Sequence, residues 1–296
     1  MAAAAPAIGV CYLGSYMIVK RIVTGLVLAV IVAILICTGG IPFVAALCII
    51  ATLASLEFYR IVKSQGVRPL SWLGIVFSIL LIVNAYIQQY NYPFLPYPRD
   101  FTLPLLLALM TLIPLIWLLF RPNKDNAFIN WGWTVAGILY TGWLLSFYIQ
   151  IRLLENGIGW IFLVVSCTAL CDVGAYVVGS NLGKHAMASS VSPGKTWEGS
   201  AGGLATSIII AVILAIAFKL PLYYWQMIAA GLIIGIFAQL GDLVESLLKR
   251  NVHAKDAGNL LPGHGGILDR IDSHLLVAPV AYYLIVLVNN QGWPPV

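Results

Sequence analysis

Five acidic residues in the second half of the sequence are spaced so that helices could bring them together. Asp242 and Glu245 are three residues apart, as are Asp269 and Asp272, so each pair shares one helical face. Asp172 interrupts a long apolar run further upstream. Ionisable residues are rare in such surroundings and usually mark a functional site, so we predict that these five side chains converge.

The acidic residues predict a metal site that contains oxygen ligands only. No Cys or His lies near them at the spacing of a metal site, which favours a hard divalent cation, and Mg²⁺ fits best. We predict Asp242 and Asp269 as the pair of metal ligands, with Glu245 as a further ligand. Mg²⁺ usually leaves its other positions to water and to substrate phosphates.

Basic residues accompany the acidic ones, as is typical of a site that binds a polyphosphate. They are Lys195, Lys249, Arg250, Lys255 and Arg270. The glycine-rich run 262–266 would let the backbone approach a phosphate closely. His264, within that run, could contact phosphate or carry a proton near neutral pH.

The elements that must position these residues are membrane helices. The chain has 296 residues, 61% of them hydrophobic and 9% charged, and its mean hydropathy is +0.95. Apolar runs of about 20 residues, the length that a bilayer requires, recur along it. They predict an all-α polytopic membrane protein, because only helices satisfy the backbone of such runs in lipid. The nine candidate spans are roughly 22–38, 41–59, 70–88, 101–120, 128–149, 158–179, 200–218, 222–247 and 274–290.

The distribution of basic residues predicts the orientation of these spans. If the N-terminus is cytoplasmic, only Arg99, Arg152 and Lys219 of the 16 basic residues lie outside, which agrees with the positive-inside rule. The net charge of +5 therefore reports orientation, and we expect no nucleic-acid partner. Two polar loops, 180–199 and 248–273, then lie on the cytoplasmic side, where we expect the active site.

The chain divides into three parts on this reading. Residues 1–21 form an N-terminal lead of unassigned role, 22–150 hold about five transmembrane helices, and 151–296 form the C-terminal catalytic region with both polar loops. The lead lacks the basic segment that opens a signal peptide. A compact chain of this kind favours the bacterial inner (plasma) membrane.

Two motifs carry a family resemblance. The first, from residue 246, contains Ser, Lys-Arg, Lys-Asp, His-Gly-Gly and Asp-Arg-x-Asp; the second, from residue 172, is Asp-x-x-Ala-Tyr-x-x-Gly followed by Ser-Pro-x-Lys-Thr-x-Glu-Gly. In both, the chain resembles the phosphatidate cytidylyltransferase (CDP-diacylglycerol synthase) family over about residues 170–275. One departure is Gly194, where many members carry a second Lys.

The resemblance implies a reaction in which CTP and phosphatidic acid give CDP-diacylglycerol and pyrophosphate, with Mg²⁺ required. It implies the catalytic residues Asp242, Asp269, Lys249, Arg250, Lys255, Arg270 and His264. It implies that substrate is bound by Asp172, Ser192, Lys195, Thr196, Glu198, Ser246, Asp256, Gly265, Gly266 and Asp272. The family also uses a homodimer and, in at least one form, a second, monovalent cation.

Two other functions are compatible with parts of the sequence. A secondary transporter also has many spans and buried acidic residues, but its site usually lies near the midplane between repeats, and no repeat is visible here. A CTP-dependent polyprenol kinase would act on an alcohol and would need a general base, a role open to His264 or Asp172.

Overall fold

The fold is a bundle of helices with one small hairpin. The structure, a computed structural model, describes residues 25–88, 101–122, 124–252, 258 and 266–290. Over these residues the helices are α1 (Gly25–Thr38), α2 (Gly40–Lys63), α3 (Ser71–Ile87), α4 (Thr102–Leu119), α5 (Ala127–Leu153), α6 (Gly157–Leu182), α7 (Trp197–Ala217), α8 (Tyr224–Asn251) and α9 (Leu268–Asn290). An antiparallel hairpin of β1 (Ala186–Ala188) and β2 (Ser192–Thr196) joins α6 to α7.

The described helices confirm the predicted all-α polytopic membrane fold. Seven of them are long and apolar enough to cross a membrane, while α1 and α3 are shorter apolar helices. Each of the nine predicted spans overlaps one helix. The main apolar core contains residues of both 22–150 and 151–296, among them Tyr59, Leu145 and Ile234.

The helix ends beside the predicted loops differ from expectation. Helix α9 begins at Leu268 rather than near 274, so Asp269 and Asp272 lie on the helix and not before it. An acidic residue in the first turn is favourable because it faces the positive end of the helix dipole. Helix α8 continues to Asn251, which places Lys249 and Arg250 on that helix. The predicted loop 180–199 is largely the hairpin.

Small residues let α6, α7 and α8 pack closely. A Cβ atom added to Gly203 of α7 would lie 2.8 Å from the carbonyl oxygen of Cys171 in α6. One added to Gly231 of α8 would lie 2.9 Å from the carbonyl oxygen of Ser207 in α7. These three helices therefore form a rigid support for the polar residues near one end of them.

Helix α2 is fastened to α5 by two buried polar contacts. The Tyr59 hydroxyl donates to the Thr134 carbonyl oxygen at 2.7 Å, and the hydroxyl oxygens of Ser55 and Thr141 are 2.6 Å apart. Thr141 lies in a π-helical segment of α5, Ile138–Trp143. These contacts join α2 to α5 inside the apolar core.

The hairpin, the end of α8 and the start of the α2–α3 connection lie at the same end of the bundle. The Gln65 side chain donates to the Val252 carbonyl oxygen at 2.6 Å. The Arg250 guanidinium donates to the Val191 carbonyl oxygen, in the hairpin turn, at 3.2 Å. The predicted polar loops therefore meet at one end.

Candidate active site

A polar cavity of about 290 Å³ lies between α6, the hairpin, α7 and α8. The Lys195 ammonium group, from β2, is 2.8 Å from a carboxylate oxygen of Asp242 in α8. Asp172 and Thr196 also line this cavity. It thus combines two carboxylates, an ammonium group and a hydroxyl, which are groups that bind a phosphate and its cation.

The hairpin holds Lys195 at the cavity. Its strands pair Ala186 with Thr196 and Ala188 with Ser192. The Thr196 hydroxyl accepts the Gly199 N–H at 3.1 Å and so caps α7. Because Lys195 immediately precedes this cap, the start of α7 fixes its backbone.

Glu198 closes the base of the hairpin. Its carboxylate accepts the backbone N–H groups of Lys184 at 3.1 Å and His185 at 3.2 Å, and lies 2.5 Å from the His185 ring nitrogen Nδ1. Neither Glu198 nor Ser192 lines the cavity. Ser192 thus lies in the hairpin and Glu198 in the first turn of α7 beside it, and their predicted contact with substrate stays a prediction.

A second charged group lies where α8 meets the start of α9. The Lys249 ammonium group is 2.5 Å from a Glu245 carboxylate oxygen and 2.9 Å from Oδ1 of Asp269. The Glu245 side chain is fully buried, and those of Lys249 and Asp269 are 18% and 17% exposed. Charges this far from water are stable only when they are paired, so both carboxylates depend on Lys249, their shared cation.

Asp272 and Ser273 connect α9 to the cavity. The Ser273 hydroxyl donates to Oδ2 of Asp172 at 3.3 Å, and the Ser273 N–H donates to Oδ1 of Asp272 at 2.6 Å. The crossing is close because Gly241 of α8 lies against this turn: a Cβ there would be 2.7 Å from the Asp272 carbonyl oxygen. Helices α6, α8 and α9 thus meet here: Asp172 and Asp242 line the cavity, whereas Glu245 and Asp269 contact Lys249.

The remaining predicted residues take different positions. Ser246 donates to Oδ1 of Asp242 at 3.4 Å. Gly266 donates its N–H to Oδ2 of Asp269 at 3.0 Å. Arg270 lies in the first turn of α9, and Arg250 contacts the hairpin rather than a carboxylate. Four predicted residues lie outside the described part of the chain: Lys255, Asp256, His264 and Gly265.

Two functional candidates have no counterpart in the sequence prediction. Gln239 of α8 lines the cavity and donates to the Ser200 carbonyl oxygen at 3.0 Å. Glu57 of α2 is 1% exposed and accepts the Leu268 N–H at 2.8 Å. Both were detectable, because Glu57 is an acidic residue in an apolar span and Gln239 lies three residues before Asp242 on the same helical face.

The carboxylates present suit a hard divalent cation, but their pairing differs from the predicted ligand set. Among the described residues, no three His, Cys, Asp or Glu side chains are arranged to hold a metal ion. Asp242 pairs with Lys195, whereas Asp269 and Glu245 share Lys249. Asp172 and Asp242 both line the cavity, and one or two carboxylates beside substrate phosphates are what Mg²⁺ commonly uses. The donor chemistry therefore fits Mg²⁺ at the cavity.

The fold and the site together define a class: a multi-pass integral membrane protein with paired lysines and carboxylates around a polar cavity at one end of its helices. The chain belongs to the cytidylyltransferase family, whose sequence model matches residues 19–288. The family resemblance is thereby confirmed, and it extends well beyond residues 170–275 into the first half of the chain.

Several bacterial proteins named phosphatidate cytidylyltransferase are similar to this chain over nearly their whole length. The protein of Bacillus subtilis (strain 168) is 34% identical, over 91% of this chain and 98% of the relative. That of Synechocystis sp. (strain ATCC 27184 / PCC 6803 / Kazusa) is 32% identical, over 91% and 97%. That of Staphylococcus aureus (strain COL) is 30% identical, over 90% and 98%.

Proposed function

We propose that this protein is a phosphatidate cytidylyltransferase, which transfers CMP from CTP to phosphatidic acid and yields CDP-diacylglycerol and pyrophosphate. Its family and the name that its full-length relatives carry support this function. The structural observation that carries it is the cavity in which Lys195 lies beside Asp242 and Asp172. An anionic lipid headgroup and a nucleotide phosphate both need such a combination of charges.

The reaction requires no nucleophilic side chain. A phosphate oxygen of the lipid attacks the α-phosphorus of CTP, and the bond from that phosphorus to the pyrophosphate oxygen breaks as the new bond forms. The attacking oxygen is already ionised, so no general base is needed. The protein then contributes position and charge neutralisation, which are large terms in phosphoryl transfer.

The charged residues divide this work between two places. Lys195 donates to phosphate oxygens in the cavity, and Asp242 holds its ammonium group there. Lys249, held by Glu245 and Asp269, supplies positive charge where α8 meets α9. The further groups that we assign to neutralising CTP and pyrophosphate are Arg250, Lys255, His264 and Arg270.

Magnesium belongs to this proposal as the cation that CTP brings to the site. We propose Asp242 as the central protein ligand, with Asp172 on the same cavity; that Asp269 and Glu245 are further ligands stays a prediction. When bound, the ion would withdraw charge from the phosphates. The dimer and the second, monovalent cation remain expectations from the family resemblance.

The basic residues support a cytoplasmic position for the site. In the described chain, Lys195, Lys249 and Arg250 lie at its end of the bundle, whereas Arg152 lies in the last turn of α5 and Lys219 just after α7, at the opposite end. By the positive-inside rule, we expect the site on the side where CTP is available. Since the relatives are bacterial, we assign the protein to the inner (plasma) membrane.

The test uses purified protein with CTP labelled in the α-phosphate. The label should enter a CDP-lipid with phosphatidic acid and Mg²⁺, and chelation should stop the transfer. A polyprenol replaces phosphatidic acid in a parallel reaction with γ-labelled CTP. Phosphorylation of the polyprenol without any CDP-lipid would refute the proposal in favour of the kinase, and solute flux in sealed liposomes without CTP would favour a transporter.

A further inference from the structure

Glu57 is a buried acidic residue in the half of the chain that carries none of the family motifs quoted above. It lies near the end of α2, and its side chain is 1% exposed. Burying a carboxyl group is costly unless donors satisfy it, so a side chain in this position needs a specific partner. That partner is the backbone at the start of α9.

One carboxylate oxygen of Glu57 caps α9. Oε2 accepts the N–H of Leu268, the first residue of that helix, at 2.8 Å. The first N–H groups of a helix have no partner within the helix, and a carboxyl group there also faces the positive end of the helix dipole. The cap comes from 211 residues earlier in the sequence, so it is a tertiary contact.

Two glycines lie directly against the same carboxylate. A Cβ on Gly258 would be 2.5 Å from Oε1 of Glu57, and one on Gly266 would be 2.7 Å from Oε2. Real Cβ contacts are not that short, so only glycine fits either position without a shift. Oε1 of Glu57 has no hydrogen-bond donor among the described residues. The backbone at Gly258 and at Gly266 thus lies directly beside the Glu57 carboxylate.

The Glu57 contacts are adjacent to the Lys249 group. Gly266, which lies against Glu57, also donates its N–H to Oδ2 of Asp269 at 3.0 Å. Oδ1 of the same Asp269 is 2.9 Å from the Lys249 ammonium group. A shift of the first turn of α9 would therefore lengthen the contact between Asp269 and Lys249.

We propose that Glu57 is a positioning residue of the active site: by capping α9 at Leu268 it holds Asp269 against Lys249. The proposal rests on the cytidylyltransferase function proposed above. The residues predicted for the site all lie in the C-terminal half of the chain. In this proposal a residue of the N-terminal half also helps to position them. Glu57 acts through Asp269 and contacts no substrate in this proposal.

The test compares Glu57→Ala and Glu57→Gln with Tyr59→Phe. Tyr59→Phe removes a buried hydrogen bond from the same helix but leaves α9 untouched. We expect Glu57→Ala to lower kcat/KM for CTP about 100-fold, the cost of roughly 1 Å of misplacement. Glu57→Gln, which keeps an acceptor for Leu268, should recover most of that loss, and Tyr59→Phe should stay within about threefold of wild type.

Hydrogen exchange supplies a readout that does not depend on turnover. Glu57→Ala should speed amide exchange in the peptide 266–272, whereas Tyr59→Phe should leave that peptide unchanged. A double-mutant cycle with Lys249→Met measures the coupling between Glu57 and Lys249. If Glu57 acts through Asp269 and Lys249, Glu57→Ala should lower the activity of the Lys249→Met variant only slightly.

The proposal is overturned if Glu57→Ala keeps kcat/KM within threefold of Tyr59→Phe, if the peptide 266–272 exchanges at the wild-type rate, or if the effects of Glu57→Ala and Lys249→Met multiply. Failure of the proposed function has a different signature: the wild-type protein would then form no CDP-lipid, while the exchange difference between Glu57→Ala and Tyr59→Phe would still be measurable.

Discussion

Replacing Lys249 by Met should destabilise the protein far more than an ordinary surface substitution. Lys249 is the shared cation of Glu245, which is fully buried, and Asp269, which is 17% exposed, at 2.5 and 2.9 Å. Met fills a similar volume but leaves both carboxylates without their cation. Removing one partner of a buried ion pair costs about 3–5 kcal/mol, because the remaining charge stays desolvated.

That cost can be read as a shift in the unfolding midpoint. At roughly 2–4 °C per kcal/mol for a large domain, the midpoint should fall by about 10 °C. The protein provides its own probes, because Cys167 and Cys171 are free thiols that are buried until the helices separate. In a background in which Cys11, Cys37 and Cys48 are replaced by Ala, a thiol-reactive fluorophore in detergent would follow the exposure of the two buried thiols during heating.

Two further variants separate charge from packing. Lys249→Arg keeps the positive charge and should melt within about 3 °C of wild type. Adding Glu245→Gln to Lys249→Met removes one uncompensated charge and should recover about half of the lost stability. The reasoning is refuted if Lys249→Met melts within 2 °C of wild type, or if the double variant is no more stable than Lys249→Met alone.

Three further predictions address the cavity and the crossing of α8 with α9. Lys195→Met should lower kcat/KM about 10- to 100-fold, the equivalent of one charge-assisted hydrogen bond to phosphate. It should barely change the melting midpoint, because the ion pair between Lys195 and Asp242 is partly exposed. An unchanged rate of CMP transfer would contradict this prediction. Asp242→Asn should raise the Mg²⁺ concentration for half-maximal activity more than Asp269→Asn does, since Asp242 lines the cavity and Asp269 does not; equal Mg²⁺ titrations would contradict this prediction. Gly241→Ala should lower both the activity and the melting temperature, because its Cβ would lie 2.7 Å from the Asp272 carbonyl oxygen. Gly132→Ala, which has open space around it, should change neither.

The sequence predicted the membrane helices well because their signal is local. A run of about 20 apolar residues can satisfy its backbone in lipid only as a helix, whatever surrounds it. The spacing of three within each acidic pair predicted a shared face for the same local reason. The predicted start of α9 was wrong by about six residues, because the first turn of this helix is polar and is capped by Glu57 from a distant helix.

Sequence spacing could not predict which lysine pairs with which carboxylate. That Asp242 and Asp269 hold one metal ion stays a prediction; the structure pairs Asp242 with Lys195 and Asp269 with Lys249. Which lysine meets which carboxylate depends on how the hairpin turns back over α8 and where α8 crosses α9. Gly241 permits that crossing, and nothing in its sequence neighbourhood identifies it.

The sequence by itself determined the class of the protein, its charged residues and the chemistry that they can perform, because composition, run length and motif order are properties of the chain alone. Only the tertiary structure decided that Glu57 caps α9, that Gln239 lines the cavity and that Lys195 and Lys249 pair with different carboxylates. These contacts join helices that are distant in sequence. Which residues meet in these contacts depends on how the helices pack in three dimensions. Local propensity and hydropathy carry no information about that packing.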